Sequence, residues 1–192
     1  MPRQSGAFVL ALLLSAATGT AAAEESYVID PAHSQPSYEI RHTIFSTQRG
    51  DFTKSTGKIT IDREAKKGSI DVTIDTTSIR SHDPRLDNIL KGEDYFNVAK
   101  YPTMAFKSTA LRFDGDRLAG VDGELTMIGV TRPITLKVTD FQCGENPFNK
   151  KPMCGAEATT TIKRSEWGMK TGVGRSSGDD VKITIPIEAY RE

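Results

Sequence analysis

Alternation of apolar and polar residues is the feature that most constrains the fold of this chain. The clearest case is residues 181–188, where the first and every second residue after it is Val or Ile, and Lys182, Thr184 and Glu188 alternate with them. Successive side chains of a strand point to opposite faces, so this pattern predicts strands with one buried face. Similar patterns predict about eight strands in all, the other seven near 38–44, 59–61, 70–74, 104–106, 121–127, 134–138 and 156–162.

Strands of this kind are typical of an antiparallel sheet that closes as a barrel or folds as a sandwich. Eight strands suit a closed barrel, whose interior is either packed or holds one small ligand. The inward face of residues 156–162 consists largely of small residues, so another group must fill the space beside it. Two fillers remain open: an apolar ligand, or the chain's own Trp167, Phe141 or Phe148.

Residues 84–91 have the periodicity of a helix and not of a strand. Asp83 is suited to cap the free backbone amides, a proline follows at the first helical position, and Gly92 is a natural stop. The sequence therefore predicts one short helix over 84–91 that leans on one end of the barrel. Its apolar residues recur at helical spacing: Leu86, Ile89 and Leu90.

The first 23 residues have the pattern of a secretory signal peptide. Arg3 is a basic start, residues 7–17 are apolar, and Ala21–Ala23 before Glu24 fit a cleavage site. We therefore expect a signal peptide over 1–23 and one domain over 24–192, with no integral membrane segment after cleavage. Loss of Arg3 leaves a net charge of about −1, which disfavours nucleic acid as a partner.

Cys143 and Cys154 are the only cysteines of the chain. In an exported protein such a pair favours a disulfide, and residues 144–153 between them are rich in turn formers. We therefore predict that the two cysteines clamp the base of a hairpin loop. Their spacing matches none of the common cysteine motifs for metal or haem.

The sequence contains no recognisable catalytic or metal-binding set. His33, His42 and His82 stand at none of the usual ligand spacings, and no serine lies in a G-x-S-x-G motif. The scattered arginines, including Arg41 and Arg164, are interpreted as solvated surface residues. We therefore predict no metal, no cofactor and no enzymatic activity.

Four segments of the chain have a recognisable order and spacing: YVIDPAHSQPSYEIRHTIFSTQRGDFTKSTGKITID, IDTTSIRSHDPRLDNILKGEDYFNVAKYPTMAF, GELTMIGVTRPITLKV and IKRSEWGM. Together they resemble the YceI-like family, and the resemblance extends over nearly all of residues 26–190. The resemblance implies an eight-stranded antiparallel lipocalin-like barrel that takes up a polyisoprenoid or similar lipid in the periplasm. The helix would be an insertion between strands, with Phe96 and Tyr101 anchoring the return.

Two features depart from the family pattern. Many members carry Asp-x-His-Leu in the helix, where this chain has residues 87–90 as Asp-Asn-Ile-Leu. We interpret Asn88 as the residue in place of that His, which alters any contact the His makes with a ligand head group. The cysteine loop at 143–154 is not found in every member and marks a subgroup.

The resemblance and the alternation together predict a protein that stores or transports a long apolar chain in its barrel. Arg41 and His42 are candidate head-group contacts, His42 because it shares a face with Tyr38 and is expected to point inward. The alternative is a structural or partner-binding module whose barrel is filled by its own side chains. The sequence does not decide which lipid is bound or whether the protein forms a homodimer. The predicted wall is Tyr38, Ile40, Ile59, Ile61, Ile70, Val72, Ile74, Phe106, Leu125, Met127, Ala158, Ile162, Ile183 and Ile185.

Overall fold

The computed structural model describes residues 24–192, and the predicted signal peptide lies outside them. Eleven strands form one sheet, accompanied in the described residues by one α-helix, α1 (Pro84–Lys91). No helix within 24–192 has the length and apolar character needed to cross a membrane. The strands are β1 (Glu25–Ile29), β2 (Ser37–His42), β3 (Ser46–Phe52), β4 (Ser55–Asp62), β5 (Lys67–Asp75), β6 (Ile79–Arg80), β7 (Thr103–Asp114), β8 (Arg117–Met127), β9 (Val130–Glu145), β10 (Pro152–Lys163) and β11 (Ser177–Arg191).

Eight strands close into an antiparallel barrel in the order β1-β4-β5-β7-β8-β9-β10-β11, and β11 pairs back onto β1. The predicted eight-stranded barrel is confirmed. β1 pairs only with the C-terminal part of β11, for example Ile29 with Ala189. β2 pairs with the N-terminal part of β11, and β3 and β6 extend the sheet from there.

Three of the eleven strands were not predicted: β1, β3 and β6. β3 has the sequence STQRGDF, in which only the last residue is a large apolar one. It forms because β2 supplies a complete row of backbone partners, from Ser37 opposite Asp51 to His42 opposite Ser46. The strand predicted at 38–44 ends at His42, and Ile44 lies exposed in the following turn.

The barrel interior has a filled half and a hollow half. Trp167, from the β10–β11 connection, is buried in the filled half, and its Nε1 donates a hydrogen bond to the Leu125 carbonyl oxygen at 3.1 Å. Met127 and Ile162 belong to the same buried cluster. The opposite end of the strands, here called the hollow end, carries the turns at 63–66, 115–116 and 146–151. Trp167 thus fills one half of the interior, whereas Phe148 is exposed.

The helix has its predicted bounds and caps. The Asp83 carboxylate accepts a hydrogen bond from the Arg85 backbone N–H at 2.9 Å, and Gly92 is the C-cap. Leu90 packs on the buried cluster, as expected, but Ile89 is exposed. Phe96 anchors the return by an edge-on contact with Phe52, with ring centroids 5.4 Å apart.

The predicted disulfide is present. Cys143 and Cys154 are bonded to each other and lie directly opposite in the register of β9 and β10. The bond therefore clamps the base of the β9–β10 hairpin, whose loop is at the hollow end.

Candidate ligand-binding cavity

The hollow half contains a cavity of about 100 Å³ lined by apolar side chains and backbone. β1, β4, β5 and β7–β11 all contribute to the wall, so the cavity lies along the barrel axis. None of the lining side chains is charged. The wall consists of Tyr27, Pro36, Ile59, Ile61, Ile70, Val72, Ile74, Phe106, Leu111, Leu118, Val121, Leu136, Val138, Phe141, Cys154, Gly155, Ala156, Ala158, Ile185, Ile187 and Ala189.

Half of the residues predicted to bind the ligand lie on this wall. They are spread over β4, β5, β7, β10 and β11, which the barrel brings around one space. Their role in ligand contact stays a prediction. They are Ile59, Ile61, Ile70, Val72, Ile74, Phe106, Ala158 and Ile185.

The other predicted apolar residues do not line the cavity. Leu125, Met127 and Ile162 are buried near the ends of β8 and β10 that are closest to Trp167. Tyr38 and Ile183 pack against the buried core but are not on the cavity wall. Alternation along a strand identifies the face that a residue occupies, but it does not say at which height along the barrel axis the residue lies. Ile40 is half-buried on β2, outside the cavity wall.

The two predicted head-group residues are exposed and lie at the filled end. The inward orientation expected for His42 is not observed, because β2 ends at this residue. The Arg41 guanidinium donates to the Ile44 carbonyl oxygen at 2.6 Å and to Thr47 Oγ1 at 3.2 Å. Arg41 therefore braces its own β2–β3 turn and is not on the cavity wall.

Several wall residues were missed by the sequence reasoning. Val121, Leu136, Val138 and Ile187 had the same alternation as the predicted ones and could have been included on that signal. Tyr27, by contrast, stands in a short strand next to the predicted cleavage site. Nothing in its local sequence pointed to the cavity.

The one phenol hydroxyl on the wall, that of Tyr27, already has a hydrogen-bond partner. Tyr27 donates a hydrogen bond to Glu25 Oε2 at 2.8 Å, and Glu25 also pairs with Arg63 and Arg191. Burial, followed by the bond to Glu25, raises the pKa of Tyr27. The wall therefore offers an apolar surface and no free acid or base for proton transfer.

Arg164 is buried, contrary to the expectation of a solvated residue. Its guanidinium donates to the carbonyl oxygens of Gly178, Met169 and Thr171 at 2.9–3.0 Å. A further bond goes to Ser177 Oγ at 2.8 Å. Because all these acceptors belong to residues 169–178, Arg164 fixes the β10–β11 connection that carries Trp167.

A cluster of titratable side chains lies on the barrel exterior. His33 Nδ1 is 2.8 Å from Asp30 Oδ2 and 3.8 Å from Glu188 Oε2. The hydrogen bond to Asp30, together with the charge of Glu188, raises the pKa of His33. The bond to His33 in turn lowers the pKa of Asp30. A protonated His33 therefore carries one positive charge between two carboxylates, and the cluster keeps a net charge of −1.

Residues 87–90 of α1 also bear on the interpretation of Asn88. Aligning Asp-x-His-Leu with residues 87–90 places Ile89, and not Asn88, at the His position, which corrects the interpretation of Asn88. Asn88 and Ile89 are both exposed, on the helix and away from the cavity wall.

The YceI-like domain pattern matches residues 27–189. Protein YceI of Escherichia coli O157:H7 is 34% identical over 184 residues, which are 94% of this chain and 93% of that protein. The crystal structure of Burkholderia cenocepacia BcnA has a TM-score of 0.68 at 26% identity, covering 83% of this chain and 98% of BcnA. A polyisoprenoid binding domain from Saccharophagus degradans has a TM-score of 0.67 at 14% identity, covering 86% of this chain and 98% of that domain, and shows the same fold.

Proposed function

Since the chain belongs to the YceI-like family, we propose that it binds a polyisoprenoid or similar long apolar chain inside its barrel. The observation that carries the proposal is the cavity whose lining residues include no charged side chain. An aliphatic chain needs neither a counter-charge nor a hydrogen-bond partner, so such a wall is sufficient for it. The Saccharophagus degradans domain of the same fold, described as polyisoprenoid binding, is consistent with this ligand.

The cavity sets a condition on how a long chain is held. Its volume of about 100 Å³ is below the roughly 150 Å³ of an engineered cavity that binds benzene. It accommodates a short apolar segment, and a longer chain requires wall side chains to move outward. Each buried methylene contributes about 0.8 kcal/mol, so every isoprene unit that the barrel encloses adds to the free energy available for that movement.

The proposal includes a setting and a role. Export directed by the predicted signal peptide over 1–23 would place the barrel in the periplasm. An apolar chain in that aqueous compartment needs protection from water. The protein would then store such a chain or transport it.

The test combines ligand detection with a substitution that fills the cavity. Ala158 is buried on the wall, so Ala158→Phe places a ring in the space that the ligand would occupy. Thr161→Phe puts the same ring on the exposed face of the same strand and is the matched control. We expect native mass spectrometry to detect a prenyl lipid, or added prenol, on the wild type and on Thr161→Phe, but not on Ala158→Phe.

A second function has support from the filled half and from the modest cavity volume. A structural or partner-binding module would have a barrel interior occupied by its own side chains. In that case the wild type would bind no added prenol, and Ala158→Phe would lower stability by about 1–3 kcal/mol through overpacking. Thermal melting beside the binding assay separates the two functions.

A further inference from the structure

The loop clamped by the disulfide presents one aromatic side chain to solvent. Phe148, at the tip, is 93% exposed. The strands on either side of the loop place Phe141 and Cys154 on the cavity wall. Phe148 therefore stands at the hollow end, above the half of the barrel that contains the cavity.

The loop is held in this conformation by several bonds. Asn146 Oδ1 accepts hydrogen bonds from the backbone N–H groups of Phe148 and Asn149, at 2.9 and 3.2 Å. Asn146 Nδ2 donates to the Tyr190 hydroxyl on β11 at 3.0 Å. With the disulfide below, these bonds keep Phe148 from folding back onto the barrel. Its exposure is thus imposed by the loop.

Two cations follow the aromatic residue. Lys151 forms no ion pair within the described residues 24–192, and the contact of Lys150 with Glu145, at 3.5 Å, is between exposed groups and weak. An exposed aromatic ring next to lysines is suited to the boundary between headgroups and acyl chains of an anionic bilayer. The other exposed aromatic turn, with Phe45 at 85% exposure, lies at the filled end, and its Arg41 is engaged with the turn itself.

We propose that residues 144–153 dock the hollow end of the barrel on an anionic bilayer surface. Phe148 inserts at headgroup level, and Lys150 and Lys151 face the lipid phosphates. The inference rests on the proposed function, since a bound apolar chain is exchanged with a membrane most directly where the cavity end meets it. Docking brings that end to the surface without a membrane-spanning segment.

Sedimentation with vesicles of phosphatidylglycerol and phosphatidylethanolamine tests the proposal, using the chain from residue 24 onward. We expect Phe148→Ser to weaken vesicle binding roughly tenfold, and Lys150→Gln with Lys151→Gln to weaken it and reduce its salt dependence. Phe45→Ser, an equally exposed aromatic at the opposite end, is the control and should bind as the wild type does. Circular dichroism verifies that each variant is folded.

The proposal is overturned if the wild type does not bind these vesicles, if Phe148→Ser binds them unchanged, or if Phe45→Ser loses as much binding. Prenol presented in detergent micelles separates this inference from the proposed function, because that ligand reaches the cavity without a bilayer. We expect Phe148→Ser to bind micellar prenol normally. Vesicle binding that depends on Phe148, in a protein that ignores prenol, would support docking and reject the proposed ligand.

Discussion

At the scale of single residues, Tyr27, which is buried, and Tyr38, whose hydroxyl is buried, differ in whether that hydroxyl has a hydrogen-bond partner. The Tyr38 hydroxyl lies against Gly50 and has no hydrogen-bond partner within residues 24–192, whereas Tyr27 donates to Glu25. Burial, followed by the charges of Asp87 and Asp51, raises the pKa of Tyr38 to about 12. Leaving a buried hydroxyl unpaired costs free energy, which its removal recovers.

We therefore expect Tyr38→Phe to leave the free energy of unfolding unchanged or to raise it by about 1 kcal/mol. The matched variant Tyr27→Phe loses a hydrogen bond and should cost about 1 kcal/mol. Urea denaturation of the two variants measures both values. A loss of stability in Tyr38→Phe equal to that in Tyr27→Phe would show that the Tyr38 hydroxyl has a partner in solution.

The exterior cluster predicts a dependence of stability on pH. Because the pKa of His33 is raised in the folded protein, its protonation stabilises the fold. This contribution is fully present below about pH 6.5, the pKa of histidine in the unfolded chain, and is lost as pH rises through the folded-state pKa. The lowered pKa of Asp30 adds stability above its unfolded value of about 3.9, which is lost as pH falls through the folded pKa. Both contributions are complete between about pH 4 and 6.5.

Nuclear magnetic resonance titration of the His33 ring checks this assignment. The midpoint should lie above the ordinary histidine value in the wild type and fall in Asp30→Asn, which keeps the shape of the side chain but removes its charge. Glu188→Gln should lower the midpoint by less, because Glu188 is the more distant carboxylate. An unchanged midpoint in Asp30→Asn would contradict the assigned hydrogen bond.

At the scale of elements, the sequence predicted those features that local chemistry determines. The helix was found with its bounds because Asp83 and Gly92 mark its ends, and the disulfide was found because only two cysteines exist. β3 escaped prediction because its partner, and not its own pattern, makes it a strand. The hollow half was only partly predicted. Which inward-facing residues are covered depends on where the β10–β11 connection places Trp167, and the pattern of a single strand does not contain that information.

The disulfide should contribute measurably to the β9–β10 hairpin. It joins residues 11 positions apart, and closing a loop of that length stabilises the fold by about 3 kcal/mol in the chain-entropy model. We expect the double variant Cys143→Ala, Cys154→Ala to lose about this much unfolding free energy. Alanine is preferred to serine because Cys154 lines the apolar cavity. The reduced wild type is the control, and a loss well under 1 kcal/mol in both would contradict the prediction.

At the scale of the whole molecule, the barrel separates a packed half from a half that contains the cavity. Leu125 in the filled half and Leu136 on the cavity wall are both 6% exposed, so they differ mainly in what surrounds them. A side chain that faces a void has fewer packing neighbours to lose. Under the proposed function, this arrangement would let the filled half carry much of the stability while the hollow half changes shape around a ligand.

Truncating each of the two leucines to alanine measures the difference in packing between the filled and hollow halves. Truncating a buried leucine to alanine typically lowers the free energy of unfolding by about 2–5 kcal/mol. We expect the loss to be near the upper end of this range for Leu125→Ala and near the lower end for Leu136→Ala. Guanidinium denaturation gives both values. Prenol binding should change only in Leu136→Ala, which enlarges the cavity. Equal costs would indicate that the two halves are packed alike.

The seam between β1 and β11 also bears on how the chain matures. The ring closes only when the first described strand pairs with the last, through residues 27–29 and 189–191. During synthesis the edge of β1 on that side therefore stays unpaired until β11 has been made. Pairing across so long a separation in sequence is slow, and waiting strand edges favour aggregation. A cell that makes this protein would need to shield β1 until its last strand arrives.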